Sequence, residues 1–527
     1  MALTEAASSE SHDTAAAVDD AATPVAGVAR IGGPERILGT GDHAAIGRVF
    51  VGVALLFGVV DLVVSALVNF DAAAYDSATG EGFLKADVAL RLGLNHQLGL
   101  LLCCVLPLVL GLGLIIVPRQ LGAAAIAFPR AAALSLWTWL LASILFIVAV
   151  IFDGSYGGAD AKFSRLGNVA TGAMLVALCI GAVCVAVTVL TFRPAGMGLG
   201  DVPFFSFAML VTSSVWVLSL PAALAQIILG HIIRPSAEDL VRTYDNFSWL
   251  LRQPSIYVAL IPLLGIAADV VATSTGARQR FRAIVLADIG FAGLLSFGAW
   301  AQSDVARGTL IWVLLSAAFA LPLLGVLGAI GDTLNSNKPK FIAPLGFAIV
   351  SVLLGLLAAL VGLLESIDSV GKGQLIGFGT PALDTGQLYL VIGAALTAGV
   401  GGAVYWAKQT FGGQLPDALC KGLAPLALVG TALWGLSHVV LGLVQASDST
   451  VDARAFAGIS GAGALMVGLV AFSVLGAGIM IGIDSLRGDE LLSDPWGGGG
   501  TLEWAPVDAV PTSVESPYPL LDSKGGE

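Results

Sequence analysis

Long apolar stretches alternate along this chain with short polar connections, and each stretch is about the 20 residues that a helix needs to cross the hydrocarbon core of a bilayer. Twelve are found, at 46–68, 95–117, 132–152, 168–192, 206–230, 253–274, 283–301, 308–330, 341–364, 387–407, 422–444 and 458–482. Small residues recur inside them, as at Gly399, Gly401 and Gly402 and at Gly458, Gly461 and Gly463, and small residues let membrane helices approach closely. The pattern predicts an all-α integral membrane protein, a bundle of twelve transmembrane helices. It places a disordered cytoplasmic tail at 1–40, the membrane domain at 41–485 and a C-terminal tail at 486–527.

Composition strengthens that reading. With 57% hydrophobic and 12% charged residues, the chain has too little polar surface to cover a water-soluble globule. The net charge of −12 gathers largely in tails and loops, and without a basic footprint it excludes nucleic acid as a partner. Residues 1–30 lack the basic start and apolar core of a signal peptide. Lys and Arg are retained on the cytoplasmic side during insertion. Their modest excess in the tails and even-numbered loops puts both termini in the cytoplasm. The five cysteines, Cys103, Cys104, Cys179, Cys184 and Cys420, show no paired metal spacing, and packing is the better reading for them.

Ionisable groups within or near the spans are the first candidates for chemistry, because a charge there costs a few kcal/mol unless it is paired or hydrated. They are Asp61, Asp269 and Asp288. One reading makes them a proton or ion path; the blander one, which the residue types favour, makes them neutral carboxyls or helix-end residues reached by water. His231 is expected at an interface. His438 is expected as a hydrogen-bonded core residue, since no second ligand lies one turn away. Gly497 to Gly500 lacks the strand, lysine and helix that a phosphate loop requires.

Several segments resemble subunit I of the heme-copper oxidases. They are Asp42-His43-Ala44-Ala45-Ile46-Gly47 before the first span, Asn95-His96-Gln97 with Val117-Pro118 and Ala127-Phe128-Pro129-Arg130 around the second, and Arg193-Pro194-Ala195-Gly196-Met197 after the fourth. Asp494-Pro495-Trp496, Thr501-Leu502-Glu503-Trp504 and Pro517-Tyr518-Pro519 match near the end. The resemblance covers about residues 36 to 520 and implies a bundle of three pseudo-repeated arcs of four helices, with hemes and copper in the working enzymes.

Position by position, the resemblance puts most metal ligands in doubt. His96 stands at the place of a low-spin heme ligand. At the copper-ligand places the chain has Gln253, Gln302 and Ser303, with Tyr257 as a relic of the family tyrosine and Ser255 at the place of a proton-carrying glutamate. The Asp-Thr pair of the tenth helix survives as Asp384-Thr385, but no histidine occurs between His231 and His438, and the chain has only five in all. Ala125, Leu323 and Val326 stand where the family's two proton channels carry polar groups, and Val444-Gln445-Ala446-Ser447 lacks the basic pair that clamps heme propionates. Amides and hydroxyls are poor copper ligands beside imidazole.

The leading expectation is therefore a catalytically degenerate family member with no copper and no heme, acting as a structural or assembly subunit in the plasma membrane of a prokaryote. Its expected partners are membrane lipid and other membrane subunits, either like subunits II and III or unrelated. One alternative retains electron transfer through a heme on His96. Another uses Asp61, Asp269 or Asp288 in an emptied pore.

Overall fold

The apolar stretches become helices because a chain in hydrocarbon must satisfy every backbone polar group internally. A computed structural model describes residues 41–76, 82–233, 244, 248–252, 254–296, 309–369, 381–447, 450–485, 494–505 and 516–522. The expected tail at 1–40 and the three residues Gln253, Gln302 and Ser303 lie outside the described residues, as does the side chain of His231.

In chain order the helices are α1 (His43–Ala73), α2 (Ala86–Gln120), α3 (Pro129–Ile151), α4 (Ala161–Thr191), α5 (Phe204–Ile233) and α6 (Pro254–Thr275). They continue as α7 (Arg282–Leu295), α8 in two pieces (Leu310–Ala318 and Ala320–Ser336), α9 (Ala343–Ser369), α10 (Pro381–Tyr405), α11 (Asp417–Ser447) and α12 (Arg454–Ser485). Among the described residues, ten helices are long and apolar enough to cross a membrane. The two other expected spans coincide with α7, described only to Ser296, and with α8. The interruption of α8 at Phe319 lies just before Pro322, which lacks the N–H that would bond the Ala318 carbonyl.

The ends follow local chemistry. The Asp42 carboxylate accepts the Ala44 N–H at the start of α1, and the Asp160 carboxylate accepts the N–H groups of Lys162 and Phe163 at the start of α4. Inside α2 the backbone widens into a π-helical stretch, Leu100–Val105, where the Leu106 N–H reaches back to the Leu101 carbonyl. Pro107 follows at once; it has no N–H and its ring presses on the preceding turn, which a wider turn relieves. The Leu102 carbonyl in that stretch accepts the Trp139 indole N–H at 3.0 Å.

The most apolar stretches of α2, α6 and α10 are wholly buried, whereas the other spans are buried on part of their surface. Those three are the second helix of each successive set of four, the arrangement that three arcs imply. The outer helices form a closed ring. α1 packs on α12 and α3, α3 on α4, α4 on α5, α5 on α7, α7 on α8, α8 on α9, α9 on α11, and α11 on α12. α10 touches both α2 and α6 inside it.

One close approach sets up the site described next. A Cβ on Gly386 would stand 2.7 Å from the Val439 nitrogen and 2.8 Å from the Gly435 carbonyl oxygen. Only glycine lets α10 lie this near α11. Beyond α12, residues 494–505 run back across the helix ends as a strap.

Candidate functional site

Two of the buried polar clusters hold expected site residues, one around His96 and one under the strap.

His96, on α2, is 3% exposed. Its Nδ1 meets the Leu92 carbonyl at 2.9 Å. A carbonyl only accepts, so Nδ1 carries the proton and the neutral ring leaves a lone pair at Nε2. That lone pair accepts the Tyr389 hydroxyl of α10, 2.9 Å away. The Tyr389 ring stacks on Trp434 of α11 with centroids 4.4 Å apart and planes 17° apart, and meets His438 edge-on at 5.4 Å. Such offset and edge contacts suit aromatic quadrupoles.

α1 completes this cluster. Asn69 donates through Nδ2 to the Ser65 carbonyl at 2.8 Å, which turns its Oδ1 toward His438 Nε2, 2.9 Å away. The Trp434 indole donates to the Ser65 hydroxyl at 3.1 Å, and the Ser460 hydroxyl of α12 donates to the Trp434 carbonyl at 2.9 Å. Five helices are thus tied through two imidazoles, one phenol and one indole. His438, expected as a hydrogen-bonded core residue, is hydrogen-bonded to Asn69 but only half-buried. Tyr389 and Asn69 were not singled out by sequence reasoning. The available signal for Tyr389 was a phenol in the run after Asp384-Thr385 where the resemblance expects imidazoles.

The second cluster is built around Gln120, the last residue of α2. Its Oε1 accepts the Ser206 N–H at 3.1 Å and the Ser206 hydroxyl at 2.6 Å. Its amide nitrogen donates to Asp269 Oδ2 at 3.0 Å and to Glu503 Oε1 at 2.9 Å. Asp269 also accepts the N–H groups of Phe204 and Phe205 at 3.2 and 3.0 Å, which satisfies the first turn of α5. Arg282 donates to the carbonyls of Gly200 and Val202 and lies over the Phe204 ring at 4.6 Å. Burial, and then the charge of Asp269, push the Glu503 carboxyl up to about 7.

The strap that delivers Glu503 is held by aromatic donors. Trp496 donates to the Tyr405 carbonyl at 3.0 Å and Trp504 to the Tyr405 hydroxyl at 3.3 Å, and that hydroxyl lies 2.6 Å from Thr273 Oγ1. Gln409 donates to the Glu503 carbonyl at 3.2 Å. Sequence reasoning named Asp269 but neither Gln120 nor Glu503 as a site. A glutamine ending the most apolar span was the signal that could have found the first.

The other expected positions are scattered. Asp61 is half-buried in α1 against Gly99 of α2, and no hydrogen bond among the described residues joins it to Asp269 or Asp288. Asp288, on α7, faces Gly325 of α8 with its Oδ2 buried. Tyr257 is fully buried and meets Phe319 edge-on at 4.8 Å. The Ser255 hydroxyl donates to the Arg252 carbonyl at 2.7 Å, and Arg252 pairs with Asp384 at 3.8 Å. Leu323 and Val326 are fully buried. Among the described residues no three His, Cys, Asp or Glu side chains are gathered as a metal site needs.

Residues 45–479 match the family described as cytochrome c and quinol oxidase polypeptide I. Among similar proteins is the heme-copper oxidase subunit I+III of Aeropyrum pernix, 24% identical over 89% of this chain and 60% of that longer protein. The cytochrome c oxidase subunit 1 of Bacillus sp. strain PS3 is 23% identical over 81% of this chain and 73% of its own length. The quinol oxidase subunit 1 of Bacillus subtilis is 23% identical over 90% and 76%.

Proposed function

Because the chain belongs to the cytochrome c and quinol oxidase polypeptide I family, we propose that it keeps the family's membrane fold without its metal chemistry, as a structural or assembly subunit of a membrane complex. The observation that carries this reading is the histidine inventory. The whole sequence has five, and none lies between His231 and His438, so α10 offers no imidazole to a metal in any register.

The His96 cluster supports the same reading. Two ligands on opposite faces of one metal stand about 4 Å apart, twice a metal–nitrogen bond of about 2 Å, with the macrocycle spread between the helices. Here a phenol lies 2.9 Å from His96 Nε2 and is stacked on Trp434. Heme does not fit between groups already in hydrogen-bond and van der Waals contact. The phenol uses the lone pair that iron would need. Copper fares no better, because Gln253, Gln302 and Ser303 offer an amide or a hydroxyl at its places.

Proton relay by the family's route is equally unsupported, since Ala125, Leu323 and Val326 are aliphatic. What the chain does supply is a closed ring of helices with apolar side chains facing outward, such as Leu141, Ile151, Phe472 and Met480. That surface suits lipid and the transmembrane helices of other subunits. The curated relatives are themselves named as subunits, which supports a place in an assembly. We place the protein in a prokaryotic plasma membrane with both termini in the cytoplasm.

Isolation from the native membrane in mild detergent tests the scaffold role. Other membrane subunits are expected to come with the chain in fixed ratio. Recovery of the chain alone and monomeric would remove the reading's main support.

A further inference from the structure

We propose that Asp269 and Glu503 together bind one exchangeable proton, and that this proton keeps the strap 494–505 docked across the helix ends.

The geometry starts from Gln120. Ser206 donates twice to its Oε1, so the amide cannot be turned over, and its two N–H bonds face the two carboxyls at 3.0 and 2.9 Å. One nitrogen therefore bridges two acidic groups that are 3% and 6% exposed. Their surroundings differ. Asp269 accepts three N–H donors in all, an arrangement that suits a carboxylate. Glu503 Oε2 is buried with no hydrogen-bond partner among the described residues, and leaving a charged oxygen so is costly. The proton belongs on Glu503.

Charge balance agrees. Among the described residues, Arg282 is the cation acting on Asp269, and it already serves the Gly200 and Val202 carbonyls. The phenols of Tyr405 and Tyr518 also face the pair. Arg48 is engaged with the Gln409 carbonyl, Lys408 faces Asp494, and Lys340 lies beside Gly497. One guanidinium against two carboxyls leaves one of them neutral. The rise of the Glu503 carboxyl to about 7 puts the exchange near neutral pH. A cavity of about 10 Å³ lined in part by Asp269, Thr273, Thr501 and Tyr518 has room for about one water, which can receive the proton.

Loss of the proton leaves two carboxylates on one amide. The strap carries one of them, so the repulsion acts directly on its docking. With Glu503 near 7 when docked and near 4.5 when free, docking weakens about tenfold between pH 6 and pH 8.

Infrared titration of the full-length protein tests the site, and limited proteolysis of its C-terminal part tests the strap. The wild type is expected to show a protonated carboxyl component that is lost between pH 6 and pH 8, and Glu503→Gln to lack that component in the same difference spectrum. In Asp269→Asn the band should vanish at lower pH, because the neighbouring charge is gone. Cleavage should be faster at pH 8 than at pH 6 in the wild type and equal in Glu503→Gln. A wild type with no band titrating near neutral pH overturns the proposal even if both variants fail to fold, and so does a band that survives Glu503→Gln unchanged. A strap equally resistant at both pH values refutes the coupling.

Discussion

At the scale of single residues, Tyr389 is the side chain on which most depends. Its hydroxyl satisfies His96 Nε2 and its ring fills the space between α2 and α11. Tyr389→Phe keeps the ring and strands a buried imidazole nitrogen, at a cost of about 1 to 3 kcal/mol; unfolding in mixed micelles measures it. Trp139→Phe should cost a similar amount, since it abandons the Leu102 carbonyl of the π-helical stretch. Glu503 gives a pH dependence whose sign is fixed. Its folded value, about 7, lies above the ordinary 4.5, so the folded state holds more protons between those values. Stability is then full below about 4.5 and falls as pH rises to about 7, by roughly 3 kcal/mol in all. Glu503→Gln should flatten that slope.

At the scale of helices, the sheer apolar length of the segments made the spans legible, and Asp42 and Asp160 act as start signals whose caps the structure contains. The breaks were less legible. Pro107 and Pro322 are visible in the sequence, yet whether a proline yields a π-helical turn, a one-residue interruption or a mere bend depends on what packs against the freed carbonyls. Contacts across helices were least legible of all: His96 and Tyr389 are 293 residues apart, and Gln120 and Glu503 383. A histidine's role could be argued from its family place, but the phenol that meets it comes from a register that only packing fixes. Gly386 shows how tightly it is fixed. Gly386→Val would drive a side chain into the backbone of α11 at Val439 and Gly435, where relief needs helix separation rather than a rotamer change. The expected loss exceeds about 3 kcal/mol, the upper range of ordinary overpacking, and appears as a large drop in unfolding temperature in detergent.

At the scale of the whole molecule, α2, α6 and α10 are buried within a ring of partly lipid-facing helices. The His96 cluster joins five helices through hydrogen bonds and stacked rings. The strap ties the ends of α2, α6 and α10 together through Gln120, Asp269 and Tyr405. The most direct measurement is the visible spectrum and metal content of the protein purified from a heme-replete host. A protein without metal chemistry shows no Soret band above background and substoichiometric iron and copper; a bis-histidine heme spectrum at one heme per chain would overturn that reading.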